Sequence, residues 1–233
     1  MRRALAAALM AVSVVLGASG CLVAPLLSTV DPSGSIGTGE QPNGQVRSLG
    51  LLQQALLQVP DLPAGTTRAR PSLLPSAVKV ELSSDDRACA PVVLRTGPNF
   101  DAKLADVTLL LSPDRKGVLG EWLRTAPSSD SAATAVAQWG TAAGSSCATV
   151  RVAIGGRTQV DGSLTPGPAL PAAPGARSVR LSYTLEGGSR SQTWVAAQVT
   201  DVLLVLIFDG LPDELLPDVT AKAIIRARAA LAL

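Results

Sequence analysis

The sequence predicts an α+β fold: an antiparallel sheet with helices packed mainly on one face, in a single exported domain. Three observations carry this. Apolar segments at Arg177–Leu185, Ser191–Val199 and Val202–Phe208 follow one another closely, separated by Glu186-Gly187-Gly188 and Thr200-Asp201. Short turns between strand-like segments describe an antiparallel meander. Helix-spaced apolar residues recur near residue 50, near residue 136 and at the C-terminal end. An apolar leader ends at a cysteine, which sends the rest of the chain out of the cytoplasm.

The leader comes first. Arg2 and Arg3 precede an uncharged run from Ala4 to Leu16, and small residues follow at Gly17, Ala18, Ser19 and Gly20. A basic start, an apolar stretch and a small-residue cleavage zone make residues 1–20 a signal peptide. Ala18-Ser19-Gly20-Cys21 resembles the bacterial lipobox, departing from it in having Ala18 where Leu is usual. That resemblance implies diacylglycerol on the Cys21 thiol, cleavage before Cys21, acylation of the new amino terminus, and a lipid anchor on the outer face of the cell membrane. Two other readings stay open: plain secretion, and an uncleaved helix from about Ala4 to Leu27 spanning the bilayer as the anchor of a structural protein. Residues 21–48, rich in Ser, Thr, Gly, Pro, Gln and Asn after the lipid site, read as a flexible tether.

Residues 49–233 then form the domain. Leu49, Leu52, Leu56 and Val59 recur at spacings of three and four, as on a short amphipathic helix ended by Pro60; Asp61-Leu62-Pro63-Ala64-Gly65 is a turn. Val78, Val80 and Leu82 alternate as in a strand, and Val107–Leu111 and Val118–Trp122 are two more. Ser129–Ala143 is Ala-rich and helical, capped by Ser128, Ser129 or Asp130. Cys147–Ile154 is strand-like. Gly155–Gly175, with five Gly and four Pro, reads as a long surface loop. After the meander, a helix from about Asp213 to Leu231 carries acids at its start and Lys222, Arg226 and Arg228 toward its end, which suits the helix dipole.

Composition removes whole classes of function. The chain has no His, so Ser-His-Asp and Cys-His catalysis and His-ligated metals are excluded. Lys and Arg number 20 against 18 Asp and Glu, and two of those arginines lie in the leader. A near-neutral mature chain lacks the basic face that nucleic acid requires. Once Cys21 is taken by lipid, Cys89 and Cys147 are the one pair left to bond outside the cytoplasm; two buried free thiols are the alternative. Closing that loop would contribute roughly 4 kcal/mol in the chain-entropy account. The acidic groups, Asp85-Asp86 and Asp209 with Asp213, Glu214 and Asp218, lack the spacing of a calcium loop. They are the only acidic clusters, and paired carboxylates are what a hydrolase of this kind would use. Neither metal nor cofactor is expected.

The order of elements resembles a known family. A lipobox and tether, a Leu-rich helix with the Asp61–Gly65 turn, a Cys, an Ala-rich helix ending near Cys147, a meander and a last helix are similar to the PknH-like extracellular sensor domain. That domain belongs to actinobacterial receptor Ser/Thr kinases and related envelope lipoproteins. The resemblance covers roughly residues 49–231 and implies an antiparallel sheet, helices on one face and a ligand-holding cleft. The kinase domain carries two disulfides, whereas this chain can make only one. The function expected is a non-catalytic binding or sensing module at the membrane's outer face. Its ligand would be an amphiphile, glycolipid or envelope glycan, and an envelope protein its partner. The cleft is expected between the meander and its helices, with Val195, Val199, Leu203 and Val205 inside and Trp122 or Trp194 at the rim.

Overall fold

The computed structural model describes residues 47–68, 80–84, 89, 92, 104–110, 117–142, 147–154 and 158–231. Cys21 and the leader lie outside the described residues, as do residues 22–46 of the tether, Asp85-Asp86 and Val78. Helix α1 spans Leu49–Ala55. Strands β1 (Thr67–Arg68), β2 (Val80–Ser83), β3 (Leu104–Leu110) and β4 (Val118–Thr125) follow, then helix α2 (Ser129–Ala142). Strands β5 (Val150–Ile154), β6 (Thr158–Pro166), β7 (Arg177–Leu185), β8 (Gly188–Val199) and β9 (Val202–Asp209) lead to helix α3 (Leu216–Leu231). The nine described strands form one sheet in the order β1-β3-β4-β9-β8-β7-β6-β5-β2. Every neighbouring pair is antiparallel.

Local chemistry explains most boundaries. Ser48 Oγ accepts the Leu51 N–H at the start of α1, and Ser128 Oγ accepts the Ser131 N–H at the start of α2. The β7–β8 hairpin closes through Glu186 and Gly187, whose φ angles of 51° and 76° are what a two-residue turn of this hand requires. The Thr200-Asp201 turn joins β8 to β9, with Thr200 held at a φ of 54°. Arg47 grips that turn through Asp201, at 2.8 Å from Nη2, while its Nη1 donates to the Leu231 carbonyl at 3.1 Å. The first described residue and the end of α3 are thereby held to the same turn.

Two expectations change. Gly155–Gly175 is not one loop: Thr158–Pro166 is a strand, paired with both β5 and β7. Gly162 is required inside it, because a Cβ there would lie 2.5 Å from Val152 Cγ2 and 3.2 Å from the Ser182 carbonyl. Helix α1 stops at Ala55, before Val59. Leu56 leaves the helix in an extended conformation, and Val59–Asp61 forms a separate 3-10 turn. The reason is competition for backbone groups: the Leu57 N–H is taken by Glu121 and the Leu56 carbonyl by Arg226.

Strand alternation divides the interior. In β9, Val202, Leu204, Leu206 and Phe208 face one way and Leu203, Val205 and Ile207 the other. The first set packs with α1 and α3, through Leu52, Ala55, Val219, Ala223 and Ala227. The second packs with α2, through Ala135, Val136 and Trp139. Two of the three described helices thus lie on one face, and α2 covers the other. Strand β9 and the Trp194–Ala197 part of β8 are buried on both sides, so they read as continuous apolar runs. On the α2 side, Cys89 and Cys147 form a disulfide with Cα atoms 5.3 Å apart, buried beside Trp139 and Trp194. The two indole rings are 6.4 Å apart between centroids.

Candidate functional site

The candidate site grows out of a mismatch in strand length. Strand β7 begins at Arg177, which pairs with Ala196 of β8. Beyond that pair β8 runs on through Ala197, Gln198 and Val199 with β9 as its only partner among the described residues. One edge of β8 is therefore uncovered at this end of the sheet. The missing width lets the layers on the two faces open onto the same space. A cleft of about 280 Å³ lies there.

Each wall has its own origin. Helix α2 contributes Ala133, Val136 and Ala137, which share a face at spacings of three and four. Helix α3 contributes Ile224 and Arg228, also four apart. Ala197 and Gln198 of the uncovered edge form the floor. The connection from β6 to β7 closes the last side with Pro174, Gly175 and Ala176, and Gly175 takes a φ of 91° to turn the chain there. That connection is itself anchored, since Leu170 and Ala173 are buried in the core under α3. Arg177 completes the rim, and a Cβ added at Gly140 of α2 would come within 3.0 Å of its Cδ. The glycine thus leaves room for the Arg177 stem against the helix.

A cleft lies between the meander and its helices, but the lining expected from sequence does not meet there. Val195 and Val199 belong to the core under α1 and α3. Trp194, Leu203 and Val205 are buried in the α2 core, with half-buried Trp122 packed against it. The strand register puts the six residues on opposite faces, and five of them are at most 2% exposed. Among the described residues they build the core rather than a cleft wall. Cys21 is outside the described residues, while Cys89 and Cys147 are brought together as a disulfide.

Three of the acids named from sequence face separate partners. Asp213 pairs with Arg180 and Asp218 with Lys222. Asp209 accepts from Gln192 Nε2 at 3.1 Å. Burial pushes the Asp209 carboxyl above its ordinary range, against the opposing pull of that bond and of Arg190. Among the described residues, no three His, Cys, Asp or Glu side chains gather as a metal site. No described helix is long and apolar enough to cross a membrane.

One ionisable group was missed. Glu121 of β4 is fully buried on the face of α1 and α3. Its Oε2 accepts the Leu57 N–H at 2.6 Å, and its Oε1 has no partner among the described residues. Burial lifts its carboxyl to about 8. The Leu57 bond and Arg226 pull it down, and Asp61 adds to the rise. Arg226 in turn donates to the Leu56 carbonyl at 2.6 Å and to Asp61 at 3.1 Å, so one arginine of α3 ties down the segment that Glu121 holds from below. The available signal was Leu119-Glu121-Leu123, an acid at the inward position of an alternating strand.

No protein-family model matches the chain, and no curated protein matches it. Among solved structures, the chain is similar to the extracellular domain of PknH from Mycobacterium tuberculosis. The TM-score is 0.53 at 12% identity, covering 79% of this chain and 98% of that domain. A Mycobacterium smegmatis protein described as putative and uncharacterized gives a TM-score of 0.37 at 13% identity, covering 80% of this chain and 98% of that one; at that distance it carries no argument. What the first likeness establishes is the fold: the described domain is an α+β domain of the kind seen in the extracellular part of PknH.

Proposed function

We propose that this chain is an extracytoplasmic lipoprotein, anchored through Cys21, whose domain binds or senses a ligand without performing chemistry on it. The ligand of this reading is an amphiphile of the cell envelope. The observation that carries it is the cleft at the uncovered end of β8, walled by apolar side chains of both helix layers and open to solvent at an arginine-bearing rim. A concave site where apolar walls meet a few convergent polar groups is the usual form of a small-molecule site. Several observations support the non-catalytic part. The chain has no His, and the acids Asp209, Asp213 and Asp218 are each engaged with a separate polar or cationic neighbour. The leader and Cys21 support export and lipidation, and the PknH domain with the same fold is extracellular by its own description.

Mass spectrometry of the full chain extracted from its own membrane tests the reading in one experiment. The expected result is an acylated amino-terminal Cys21 and a co-purifying amphiphile. A mature chain beginning elsewhere, or an unmodified Cys21 thiol, refutes the anchor. A chain that turns over an envelope glycan, and stops when Asp209 or Asp213 becomes Asn, refutes the binding role.

A further inference from the structure

We infer that the ligand of the cleft is an anionic amphiphile, its phosphate or carboxylate headgroup held between Arg177 and Arg228 and its apolar chain laid against Ile224, Val136 and Ala137. This inference rests on reading the cleft as the binding site. Three observations select the charge. First, the lining holds two arginines and neither Asp nor Glu. Second, other arginines of the domain are spent on carboxylates: Arg47 on Asp201, Arg180 on Asp213 and Arg226 on Asp61. Arg177 and Arg228, by contrast, make no ion pair among the described residues. Arg177 Nη1 donates only to the carbonyl of its neighbour Ala176, which steadies the guanidinium and leaves most of its donors free. Third, Gln198 commits its side-chain nitrogen to the Ser129 and Thr200 carbonyls, at 2.8 and 3.0 Å. The cleft's strong free donors are therefore cationic, and planar guanidinium groups suit phosphate and carboxylate oxygens.

The apolar part follows from the opposite wall. Ile224 and Val136 come from the two separate helix layers and line the same cleft at the uncovered edge of β8. A small inorganic anion would satisfy the arginines and leave that wall wet. A headgroup with a short chain covers both.

The test uses the full chain reconstituted in phosphatidylcholine nanodiscs, titrated calorimetrically with octyl phosphate, octyl glucoside and inorganic phosphate. The Ala137→Trp variant, whose new side chain plugs the cleft from an exposed helix position, supplies the baseline. Octyl phosphate should bind saturably above that baseline, and more weakly as salt rises. Arg177→Gln and Arg228→Gln, both at exposed positions, should each weaken it about tenfold or more. Octyl glucoside and inorganic phosphate should both bind much more weakly. Equal binding of octyl glucoside, unchanged in the arginine variants, overturns the anionic headgroup and leaves the cleft an amphiphile site. Inorganic phosphate binding as well as octyl phosphate overturns the amphiphile and makes the site one for free anions. No binding of any probe above the Ala137→Trp baseline overturns the reading of the cleft itself.

Discussion

Replacing Glu121 with Gln should remove a large part of the domain's sensitivity to pH. The carboxyl is fully buried and lifted from 4.5 to about 8, chiefly because burial disfavours its charge. A carboxyl raised in the folded state contributes stability that is complete below its unfolded value and lost as pH climbs through the folded one. The folded protein holds this proton and the unfolded chain releases it, so stability should fall as pH rises from about 5 to 8. Over the window from pH 5.5 to 7.5, a shift of this size removes roughly 2–3 kcal/mol. The amide of Gln keeps the acceptor that Leu57 needs and has no proton to lose. The advantage of the variant over the wild type should therefore grow by roughly 2–3 kcal/mol between pH 5.5 and pH 7.5. Urea titrations at several pH values, followed by far-UV circular dichroism, give both curves. The raised Asp209 carboxyl, which falls in the same sense, is common to both proteins and cancels in the difference. Parallel curves across the window, or a wild type that gains stability with pH relative to the variant, would refute the assignment of a neutral Glu121.

Other consequences can be measured in the same way. Replacing Cys89 and Cys147 with Ser opens a link between residues 58 apart and should cost roughly 4 kcal/mol of stability, read as a lowered urea midpoint. Gly162→Ala places a methyl 2.5 Å from Val152 Cγ2 inside a paired strand and should cost roughly 1–3 kcal/mol, visible as a lower Tm. Arg226→Met removes a charge that pulls the Glu121 carboxyl down, so the pH midpoint of the stability loss should move upward. Arg47→Ala should speed amide exchange at the end of α3 and in the Thr200-Asp201 turn, while leaving β6 and β7 unaffected.

What could be read in advance followed from whether the deciding signal is local. The ends of β7 and of β9 are marked by their own turn residues, and β7 runs from Arg177 to Leu185 as expected. Strand β6 was hidden because its inward positions are Val160, Gly162 and Leu164. A glycine at the centre and Pro166 at the end look like loop chemistry, and the need for Gly162 arises from Val152, a residue of the neighbouring strand. That the meander and helices leave a seam was legible from topology. Its lining was not. Apolar strand residues such as Val195 and Leu203 are consumed by two cores, and the seam is finished by helix and loop residues, Ala137, Arg177 and Arg228 among them, that come together only in three dimensions. The early end of α1 has the same character, because Glu121 and Arg226 outbid the helix for the backbone of Leu56 and Leu57.

The division of the interior by the sheet makes this protein optically lopsided. All three tryptophans, Trp122, Trp139 and Trp194, belong to or pack against the core beneath α2. Their emission reports the half of the molecule that the disulfide braces. The other half, where α1, α3 and Glu121 meet, has no indole. Loosening that begins there would leave tryptophan fluorescence unchanged until the sheet itself parted. Fluorescence and circular dichroism would then register different midpoints in a single molecule with a single sheet, and the gap between them would measure how independently its two faces can melt.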